Sequence, residues 1–502
     1  MWLIQLSLLI GIAVANCRVS TSSGLVDGIC GRSANQYLGI PYALPPVNGY
    51  RFREAQPQAS TQSEIVGDTL APYCPQYNSS TGSITGNEDC LYLNVYAPAN
   101  GSSVPVMVWI HGGSFIEGGS RDAAFNGTFL ASEDDVIVVT VNYRLGILGF
   151  FDSAETGTNF AMSDIAMALQ WVQDNIESFG GDPDKVTLFG ESSGGTMVRH
   201  ALNSPKFNGL FSRAIIQSDP QFFTANSREV SRDVLGQAVQ QSLGCSSSDC
   251  LRTATVEDIL ATQVSILTQT TSLFTQGVNP IFPWGPNIDY DYLPSDVDVE
   301  LASKLSIANP VDLVIGTVKD EVASFYANST AKTFQALLDQ VLQYANESCL
   351  ASSEDPHQIV TLATKLIFQC PAMINAMNLA SSAGTNVYMY EFTKGIEYPA
   401  NQVNPLCGGD NVCHEDDLYV TFGTYSGGTP SEQVALSDEV RARWSAFAST
   451  GQPNTDKYGG WQAISGHNLG LYLLGSNQTQ LSLPTCSNVR QLIEAYWAAQ
   501  VH

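Results

Sequence analysis

One short segment constrains this chain more than any other: a run typical of a buried strand leads directly into a serine between two glycines. Residues 185–189 read Lys-Val-Thr-Leu-Phe, Gly190, Ser192 and Gly194 follow in a Gly-x-Ser-x-Gly pattern, and a helical pattern begins at Thr196. A serine on such a tight turn holds its hydroxyl out, and the glycines leave room for neighbouring backbone. The helix start adds amide N–H groups beside the reacting atom. This context predicts a nucleophilic serine, with a glycine-rich connector as the alternative.

A second strand pattern ends in a glycine turn suited to the same chemistry. Residues 106–110 are followed by His111 and a Gly-Gly-Ser turn. Attack on a carbonyl group creates negative charge on its oxygen, which preorganised backbone N–H groups stabilise. We expect Gly113, Ser114 and Ser193 to supply three such donors. His111 is expected to brace the turn rather than act as a base.

Short apolar runs recur along the chain and alternate with helical patterns. The runs are rich in β-branched residues and lack alternation, which is typical of strands buried on both faces of a parallel sheet. They span residues 104–110, 136–141, 186–189, 313–317 and 387–392. No repeat or low-complexity linker divides the sequence. The pattern therefore predicts one doubly wound α/β architecture.

One helix and one outer strand are predicted with definite limits. Residues 165–176 place apolar side chains three and four positions apart, which predicts a helix. Ser163 and Asp164 precede this pattern and are suited to capping the start of the helix. Residues 90–96 alternate between polar and apolar side chains, which predicts a more peripheral strand.

The charge balance excludes some classes of function. The 502 residues include 22 Lys and Arg against 48 Asp and Glu, which gives a net charge of −26. Such a chain lacks the basic footprint of a nucleic-acid-binding protein and is disfavoured on anionic membranes. Cys413 and His414 are adjacent but have no second cluster with which to hold a metal. We expect a globular protein without nucleic acid, metal or other cofactor.

Residues 1–15 have the features of a secretory signal peptide. Their apolar stretch is shorter than the roughly 20 residues that span a bilayer, and it ends in an Ala-Val-Ala cleavage pattern. No basic residue precedes Arg18, so the α-amine alone supplies the positive charge. A buried N-terminal helix is the alternative. We expect a mature chain of residues 16–502, folded as one domain, with no later transmembrane helix and no membrane anchor.

The cysteines and the glycosylation signals are consistent with passage through the secretory pathway. Eleven cysteines fit an oxidising environment, and their odd number leaves at least one unpaired within the chain. Acceptor sequences for N-glycosylation occur at Asn78, Asn100, Asn126, Asn328, Asn346 and Asn477. The sequence therefore predicts a secreted, disulfide-bonded glycoprotein in the extracellular space or in the lumen of the secretory pathway.

Taken together, the motifs resemble those of the type-B carboxylesterases, the family of cholinesterases, carboxylesterases and bile-salt-type lipases. The resemblance covers essentially the whole mature chain. Besides the glycine turn and the nucleophile, it includes the motifs at 38–43, 88–94, 142–144 and 180–183. It implies a single-domain α/β-hydrolase fold, with a large, mostly parallel sheet flanked by helices, and a triad in the order Ser, Glu, His.

The family's triad order identifies two further catalytic candidates. The segment 316–321 is similar to the family's acid motif and points to Glu321, with a solvated loop carboxylate as the alternative. His414 lies in a segment similar to the family's histidine loop, whereas His357 and His467 lack that context. The resemblance implies that Glu321 and His414 complete a triad with the serine.

The resemblance also implies supporting interactions. Glu191 is similar to a family carboxylate that tunes the site by hydrogen bonding and is not a member of the triad. The implied disulfides are Cys74–Cys90, Cys245–Cys250 and Cys370–Cys486, and the implied structural ion pairs are Arg51–Glu88 and Arg144–Asp164. The pairing of Cys17, Cys30, Cys349, Cys407 and Cys413 stays open, although a Cys407–Cys413 disulfide would pin the histidine loop.

Departures from the family pattern bear on the substrate. Ser114 replaces the family's third oxyanion glycine, and residues 218–223 replace a glycine-rich sequence. The 74–90 loop lacks the tryptophan on which cholinesterases stack choline, which argues against acetylcholine as the main substrate. Candidate pocket residues, each with plain core as the alternative, are Phe222, Phe223, Phe282 and Trp284.

The resulting hypothesis is a secreted serine hydrolase that acts on small-molecule or lipid carboxylic esters through an acyl-enzyme. A lipase with an interfacial lid is one alternative, because the 74–90 loop is where relatives vary. A non-catalytic adhesion protein of the same fold is another, because a fold does not fix a function. The presence of Ser192, Glu321 and His414 favours the enzyme.

Overall fold

The computed structural model describes most of the chain. The described residues are 17–58, 64–78, 81–269, 272–273, 275–303, 307–328, 355–382, 384–466, 468–476, 478–480, 486, 490, 493–494 and 496–497. The predicted signal peptide, Asn346, Asn477, Cys349 and His467 lie outside the described residues.

The first eight strands of the described chain precede the first α-helix, and from the eighth strand to the fourteenth each strand is separated from the next by one or more α-helices. The strands are β1 Arg18–Thr21, β2 Gly24–Gly28, β3 Ala34–Pro41, β4 Glu64–Gly67, β5 Gln76–Asn78, β6 Ser83–Thr85, β7 Tyr92–Pro98, β8 Val104–Ile110, β9 Ile137–Val141, β10 Gly181–Glu191, β11 Arg213–Gln217, β12 Asp312–Val318, β13 Val387–Phe392, β14 Leu471–Leu474 and β15 Gln478–Gln480. The α-helices are α1 Thr128–Glu133, α2 Gly146–Phe150, α3 Phe160–Asn175, α4 Ser193–Asn203, α5 Gln237–Leu243, α6 Ser248–Thr253, α7 Val256–Leu267, α8 Val297–Ala302, α9 Ala323–Asn328, α10 Pro356–Thr364, α11 Cys370–Ser382, α12 Leu418–Phe422 and α13 Ser431–Thr450.

A single large sheet organises the molecule. Within the described residues it has ten strands in the order β15-β14-β13-β12-β11-β10-β8-β9-β7-β3. The strands from β9 through β8 and β10 to β14 are parallel to one another, whereas β15, β7 and β3 each pair antiparallel with their neighbour. The predicted α/β class with a large, mostly parallel sheet is confirmed.

Both faces of this sheet are buried, which explains why its strands lack alternation. On β8, Val106, Val108 and Ile110 join one core cluster, while Met107 and Trp109 join another on the opposite face. Helices α3, α4 and α11 contribute to the first cluster, and α1, α12 and α13 contribute to the second. Strands enclosed in this way are expected to be continuously apolar.

The predicted caps of α3 are wrong. The helix begins at Phe160 rather than at residue 165, so Ser163 and Asp164 lie inside it. The Ser163 hydroxyl accepts a hydrogen bond from the Ala55 N–H at 2.9 Å, and Asp164 forms an ion pair with Arg144 at 2.6 Å. Their polarity therefore serves contacts with other segments rather than the start of the helix.

Strand β7 is less peripheral than its sequence suggests. It lies between β9 and the edge strand β3, and residues 93–98 are all buried. The polar Asn94 is accommodated because its side-chain amide donates to the hydroxyl of Thr140 at 3.0 Å and its Oδ1 accepts from the Gly39 N–H at 2.9 Å. The alternation therefore reflects a satisfied buried amide and not a solvent-facing side of the strand.

One described helix is long and apolar enough to cross a membrane, contrary to the expectation that no later segment would be. It spans Pro356–Ser381, and 83% of its most apolar window is buried inside the protein. It includes α10 and α11, and Ala372, Ile374 and Ala376 belong to the main core cluster. Its apolar character is therefore accounted for by packing in the core.

Candidate active site

Ser192 occupies a strained junction between a strand and a helix. Strand β10 ends at Glu191 and α4 begins at Ser193, so Ser192 alone forms the turn. Its φ of 56° and ψ of −125° lie outside the backbone regions that residues other than glycine favour. The Ser192 N–H donates to the Gln217 carbonyl at the end of β11, at 3.0 Å, which fixes this backbone. Strain that the surrounding structure holds in place in this way is typical of functional positions.

The glycines of the serine motif are required by close approach of backbone. A Cβ atom on Gly190 would lie 2.6 Å from the carbonyl of Gly194 and 2.8 Å from the Ile110 oxygen. A Cβ on Gly194 would lie 2.1 Å from the Ile110 oxygen, and a Cβ on Gly195, which follows the motif, would lie 2.9 Å from the Gln217 oxygen. At these glycines a side chain would collide with the backbone of β8, β11 or α4. The close approach of these elements places the serine beside the end of β8.

The glycine turn after β8 lies against Ser192. A Cβ on Gly112 would be 3.2 Å from the Cβ of Ser192, and Gly113 and Ser114 have positive φ angles of 101° and 54°. Within the described residues, the backbone N–H groups of Gly113, Ser114 and Ser193 donate to no protein acceptor. The three predicted donors are thus unpaired within that part of the chain.

His111 has surroundings that suit a bracing role. Its Nδ1 lies 2.8 Å from the Gly112 carbonyl oxygen, and its ring stacks on Tyr143 with centroids 4.4 Å apart. The Tyr143 hydroxyl donates to the His111 carbonyl at 2.9 Å. Burial lowers the pKa of His111 to about 4, so the imidazole is neutral and holds the turn through packing and hydrogen bonding.

Glu321 and His414 are in direct contact, although 93 positions separate them in sequence. Glu321 follows the end of β12, where its Oε1 accepts a hydrogen bond from the Val318 N–H at 2.9 Å. Its Oε2 lies 2.5 Å from the Nδ1 of His414, and both side chains are buried. A carboxylate there favours the tautomer with hydrogen on Nδ1, which leaves Nε2 free to accept a proton.

The other imidazole nitrogen faces the residue that precedes the serine. His414 Nε2 lies 3.0 Å from Glu191 Oε1, but the two atoms are not aligned for a hydrogen bond. Burial alone would lower the pKa of His414, but the charges of Glu191 and Glu321 outweigh it and raise that pKa above its ordinary value. The Ser192 hydroxyl makes no hydrogen bond in the described part of the chain. Catalytic hydrogen bonds are often long or misaligned without substrate.

Gln217 connects the serine to the histidine loop and has no signal in the sequence. Its carbonyl accepts the Ser192 N–H, and its side-chain amide donates to Asp417 Oδ2 at 2.7 Å. Its Oε1 accepts from the indole of Trp444 at 3.2 Å. The end of β11 thus links two segments that the sequence places about 220 positions apart.

Aromatic rings flank His414. The rings of Phe325 and Phe368 lie with centroids 4.9 Å and 5.6 Å from the imidazole. Phe325 is 38% exposed, so part of an apolar ring is presented beside the histidine. The sequence did not single out either residue. The four candidate pocket residues are instead buried in core clusters: Phe222, Phe223, Phe282 and Trp284.

An acidic cleft of about 250 Å³ opens behind the glycine turn. Four carboxylates line it, those of Glu117, Asp122, Glu191 and Glu415, together with Tyr73 and Tyr398 among others. Glu415 follows His414 and has a positive φ of 74°. Burial raises the pKa of Glu415 to about 7. The cleft reaches Glu191, whose carboxyl group lies beside His414, so negative charge in the cleft acts on the imidazole.

The disulfides and ion pairs implied by the resemblance are present. The implied disulfides Cys74–Cys90, Cys245–Cys250 and Cys370–Cys486 are formed. Four of the cysteines whose pairing stayed open form Cys17–Cys30 and Cys407–Cys413. The ion pairs Arg51–Glu88 and Arg144–Asp164 both have contacts of 2.6 Å. Among the glycosylation candidates, the exposed residues are Asn78, Asn100 and Asn126, and Asn328 lies at the end of α9. Over the ranges that the structure describes, no group of three or more His, Cys, Asp or Glu is arranged to hold a metal.

Comparison with known proteins gives one consistent result. The model of the carboxylesterase family matches residues 15–491. The chain is 33% identical to the para-nitrobenzyl esterase of Bacillus subtilis, covering 87% of this chain and 91% of that protein. It is 31% identical to carboxylesterase 1C of Rattus norvegicus, covering 85% and 82%. Among solved structures, a PNB esterase superposes with a TM-score of 0.82 at 30% identity, over 95% of this chain and all of that one.

The chain therefore belongs to the carboxylesterase family of α/β-hydrolases. It is by class a carboxylic ester hydrolase. The predicted family and the predicted class of enzyme are both confirmed.

Proposed function

We propose that this protein hydrolyses carboxylic esters with Ser192 as nucleophile, His414 as general base and acid, and Glu321 as the group that orients the imidazole. The contact between Glu321 and His414 carries the proposal, because it joins two distant loops beside the strained serine. A buried carboxylate on Nδ1 fixes the tautomer and stabilises the imidazolium that forms during the reaction.

Acylation begins when the Ser192 oxygen attacks the ester carbonyl while His414 Nε2 takes its proton. The carbonyl oxygen becomes negatively charged and is held by the N–H groups of Gly113, Ser114 and Ser193, which have no other protein acceptor in the described chain. Loss of one such donor costs about 10²–10³ in rate. His414 then gives its proton to the departing alkoxide, and the acyl group stays on Ser192.

Deacylation repeats the sequence with water. His414 removes a proton from the attacking water, the same three donors hold the oxyanion, and the proton returns to Ser192 as the acid leaves. Glu191 takes no covalent part. Its carboxylate beside Nε2 supports the positive charge on the imidazole in both steps.

The surroundings favour a neutral or cationic ester with an apolar part. Phe325 offers an exposed ring beside His414, where an alkyl group would be removed from water. Burial raises the pKa of all four carboxyl groups of the acidic cleft. A bound anion would be repelled by those that are ionised, so the cleft disfavours an anionic group. We infer a small-molecule or lipid ester as substrate.

We further propose that residues 1–15 are a signal peptide and that residues 16–502 form one secreted domain. Disulfides throughout the described chain and exposed acceptor sites at Asn78, Asn100 and Asn126 support an oxidising compartment and glycosylation. N-terminal sequencing of the purified protein is expected to begin near Asn16. A protein that begins with Met1 would contradict the signal peptide.

Turnover of p-nitrophenyl butyrate by wild type and Ser192→Ala tests the catalytic proposal. The variant is expected to lose at least about 10³-fold in kcat, because the nucleophile is removed. Ser265→Ala, an exposed serine on α7, is the matched control and should retain wild-type turnover. Equal turnover by Ser192→Ala and wild type would overturn the assignment.

The same protein separates the two alternatives. A lipase would prefer emulsified triolein to soluble p-nitrophenyl butyrate, whereas an esterase shows the opposite preference. An adhesion protein would hydrolyse neither substrate. We expect hydrolysis of the soluble ester, because Glu321 and His414 are already in contact beside the strained serine in the described structure.

A further inference from the structure

We propose that the Cys407–Cys413 disulfide and the side chain of Asn401 are positioning elements that hold His414 at the distance and angle needed for proton transfer. The proposal rests on the catalytic role of His414 proposed above. In the described structure the hydrogen bonds and the disulfide that these three side chains form involve neither the Ser192 hydroxyl nor the imidazole nitrogens, so the proposed action is through the histidine loop.

The disulfide is next to the histidine in sequence and is fully buried. Cys413 immediately precedes His414, and both cysteines have no exposed surface. They pack in a small apolar cluster with Ala323 and Val360. Ala323 begins α9, two positions after Glu321. The disulfide thus anchors the histidine loop against the segment that carries the acid.

Asn401 holds the backbone of the histidine itself. Its amide donates to the His414 carbonyl oxygen at 2.7 Å and to Asp416 Oδ1 at 2.9 Å. Asp416 Oδ2 in turn accepts the Cys413 N–H at 2.7 Å. Its Oδ1 also accepts the Tyr398 N–H at 2.7 Å. The Cys413 N–H and the His414 carbonyl are therefore both bonded to one buried amide–carboxylate pair, Asn401 and Asp416.

The same loop is tied directly to the acid turn. The Asp320 N–H donates to the Val412 carbonyl at 2.8 Å, and the Val412 N–H donates to Asp320 Oδ2 at 3.1 Å. Ser324 donates to Asn401 Oδ1 at 2.8 Å. The segment that carries the acid therefore contacts the histidine loop directly, at Val412, and indirectly, through Asn401.

This arrangement fits positioning better than general stabilisation. A cross-link over a separation of six residues restricts the unfolded chain far less than one over 116, such as Cys370–Cys486. Catalysis is more sensitive than stability to small displacements, since an error of about 1 Å at a reacting group can cost about 10²-fold in rate. A cross-link next to the general base is therefore expected to affect rate first.

The test compares two esters of butyric acid in wild type and in Cys407→Ala with Cys413→Ala. Ethoxide must be protonated by His414 as it leaves, whereas p-nitrophenolate leaves without a proton. A displaced imidazole should therefore lower kcat/KM for ethyl butyrate about tenfold more than for p-nitrophenyl butyrate. A purely structural role would lower both values by the same factor, through the fraction of folded protein.

The matched control is Cys245→Ala with Cys250→Ala, which removes a disulfide of similar separation, five residues, between the segment after α5 and helix α6. These cysteines pack in a cluster that contains none of the three proposed catalytic residues. The control should keep the ratio of the two kcat/KM values at the wild-type level. If the first variant does not fold, Asn401→Ala tests the same anchor through the His414 carbonyl and leaves the disulfide intact. If the ratio of the two kcat/KM values stays at the wild-type level in the histidine-loop variants, the positioning proposal is overturned. If wild type is inactive or Ser192→Ala is active, the catalytic assignment is wrong instead.

Discussion

Ser114, Ser192 and Glu415 have positive φ angles of 54°, 56° and 74°, and all three lie within or beside the candidate active site. Each such conformation costs a non-glycine residue about 1–3 kcal/mol, so it persists only where the surroundings enforce it. The strand pattern that leads directly into a helix pattern predicted a tight turn at Ser192. Nothing about a glutamate signals a left-handed backbone, and Glu415 was therefore not predicted.

Single residues also determine how activity should depend on pH. His414 accepts a proton from Ser192 only when it is neutral, so kcat/KM is lost as the pH falls through the pKa of His414. The charges of Glu191 and Glu321 raise that pKa above its ordinary value. Glu191→Gln removes one of them, and the acid limb of the pH profile should move to lower pH by about one unit or more.

The measurement for this prediction is kcat/KM against pH for p-nitrophenyl butyrate. Glu177→Gln, an exposed carboxylate after α3, is the matched control and should leave the limb in place. If the acid limb of the Glu191→Gln pH profile is unchanged or moves to higher pH, Glu191 does not raise the pKa of the imidazole.

At the scale of elements, prediction succeeded where the pattern of side chains reports the local environment. Strands β8 and β13 have the limits expected from their apolar runs. Strand β10 begins at Gly181, earlier than the expected residue 186. Asp182 and Pro183 are typical of a turn, so the sequence pattern does not indicate this earlier start. The caps of α3 were misread because a sequence does not show that Ser163 bonds to Ala55. Pairings across the chain of this kind follow from packing and not from local pattern.

The junction of β8, β10 and α4 should be intolerant of any side chain at Gly190. In Gly190→Ala the new Cβ meets the backbone of Gly194 and Ile110, which cannot move aside as a side chain can. We expect the free energy of unfolding to fall by about 1–3 kcal/mol, and activity to fall with it, because the serine is displaced. Urea denaturation and turnover of p-nitrophenyl butyrate measure the two effects.

Gly49→Ala provides the comparison, because a Cβ at Gly49 has no atom within 4 Å and Gly49 has no positive φ. Its urea midpoint should match that of wild type. If Gly190→Ala were as stable and active as Gly49→Ala, the close approach that presents Ser192 would not be needed.

At the scale of the whole molecule, Cys370–Cys486 is expected to restrict the unfolded chain more than the other disulfides of the described residues do. It closes a separation of 116 residues and joins α11 to the C-terminal region. Replacing both cysteines by alanine should lower the free energy of unfolding by about 4–5 kcal/mol, because the unfolded chain regains the entropy of a long loop. The urea midpoint measures this loss.

The Cys245→Ala, Cys250→Ala protein serves as reference here as well, since its loop spans a separation of only five residues. It should lose less stability than the long-loop variant. Equal losses in the two proteins would contradict the entropic account.

The architecture as a whole was predicted from sequence, but the assembly of the site was predicted only in part. Buried, non-alternating strands indicated a parallel sheet, and the serine motif indicated the nucleophile. Glu321 and His414 came from resemblance to a family, because residues 93 positions apart carry no local signal of contact. Gln217, Phe325 and the acidic cleft came from the structure, since each depends on several segments meeting.

The most direct test of the account is to identify the residue that an organophosphate modifies. Diisopropyl fluorophosphate transfers its phosphoryl group to an activated serine and releases fluoride, which blocks the enzyme. Tandem mass spectrometry of the peptide that spans residues 185–195 distinguishes Ser192 from its neighbour Ser193. The account predicts one adduct, on Ser192, that forms in step with the loss of esterase activity. Inactivation with the adduct on any other residue would contradict it.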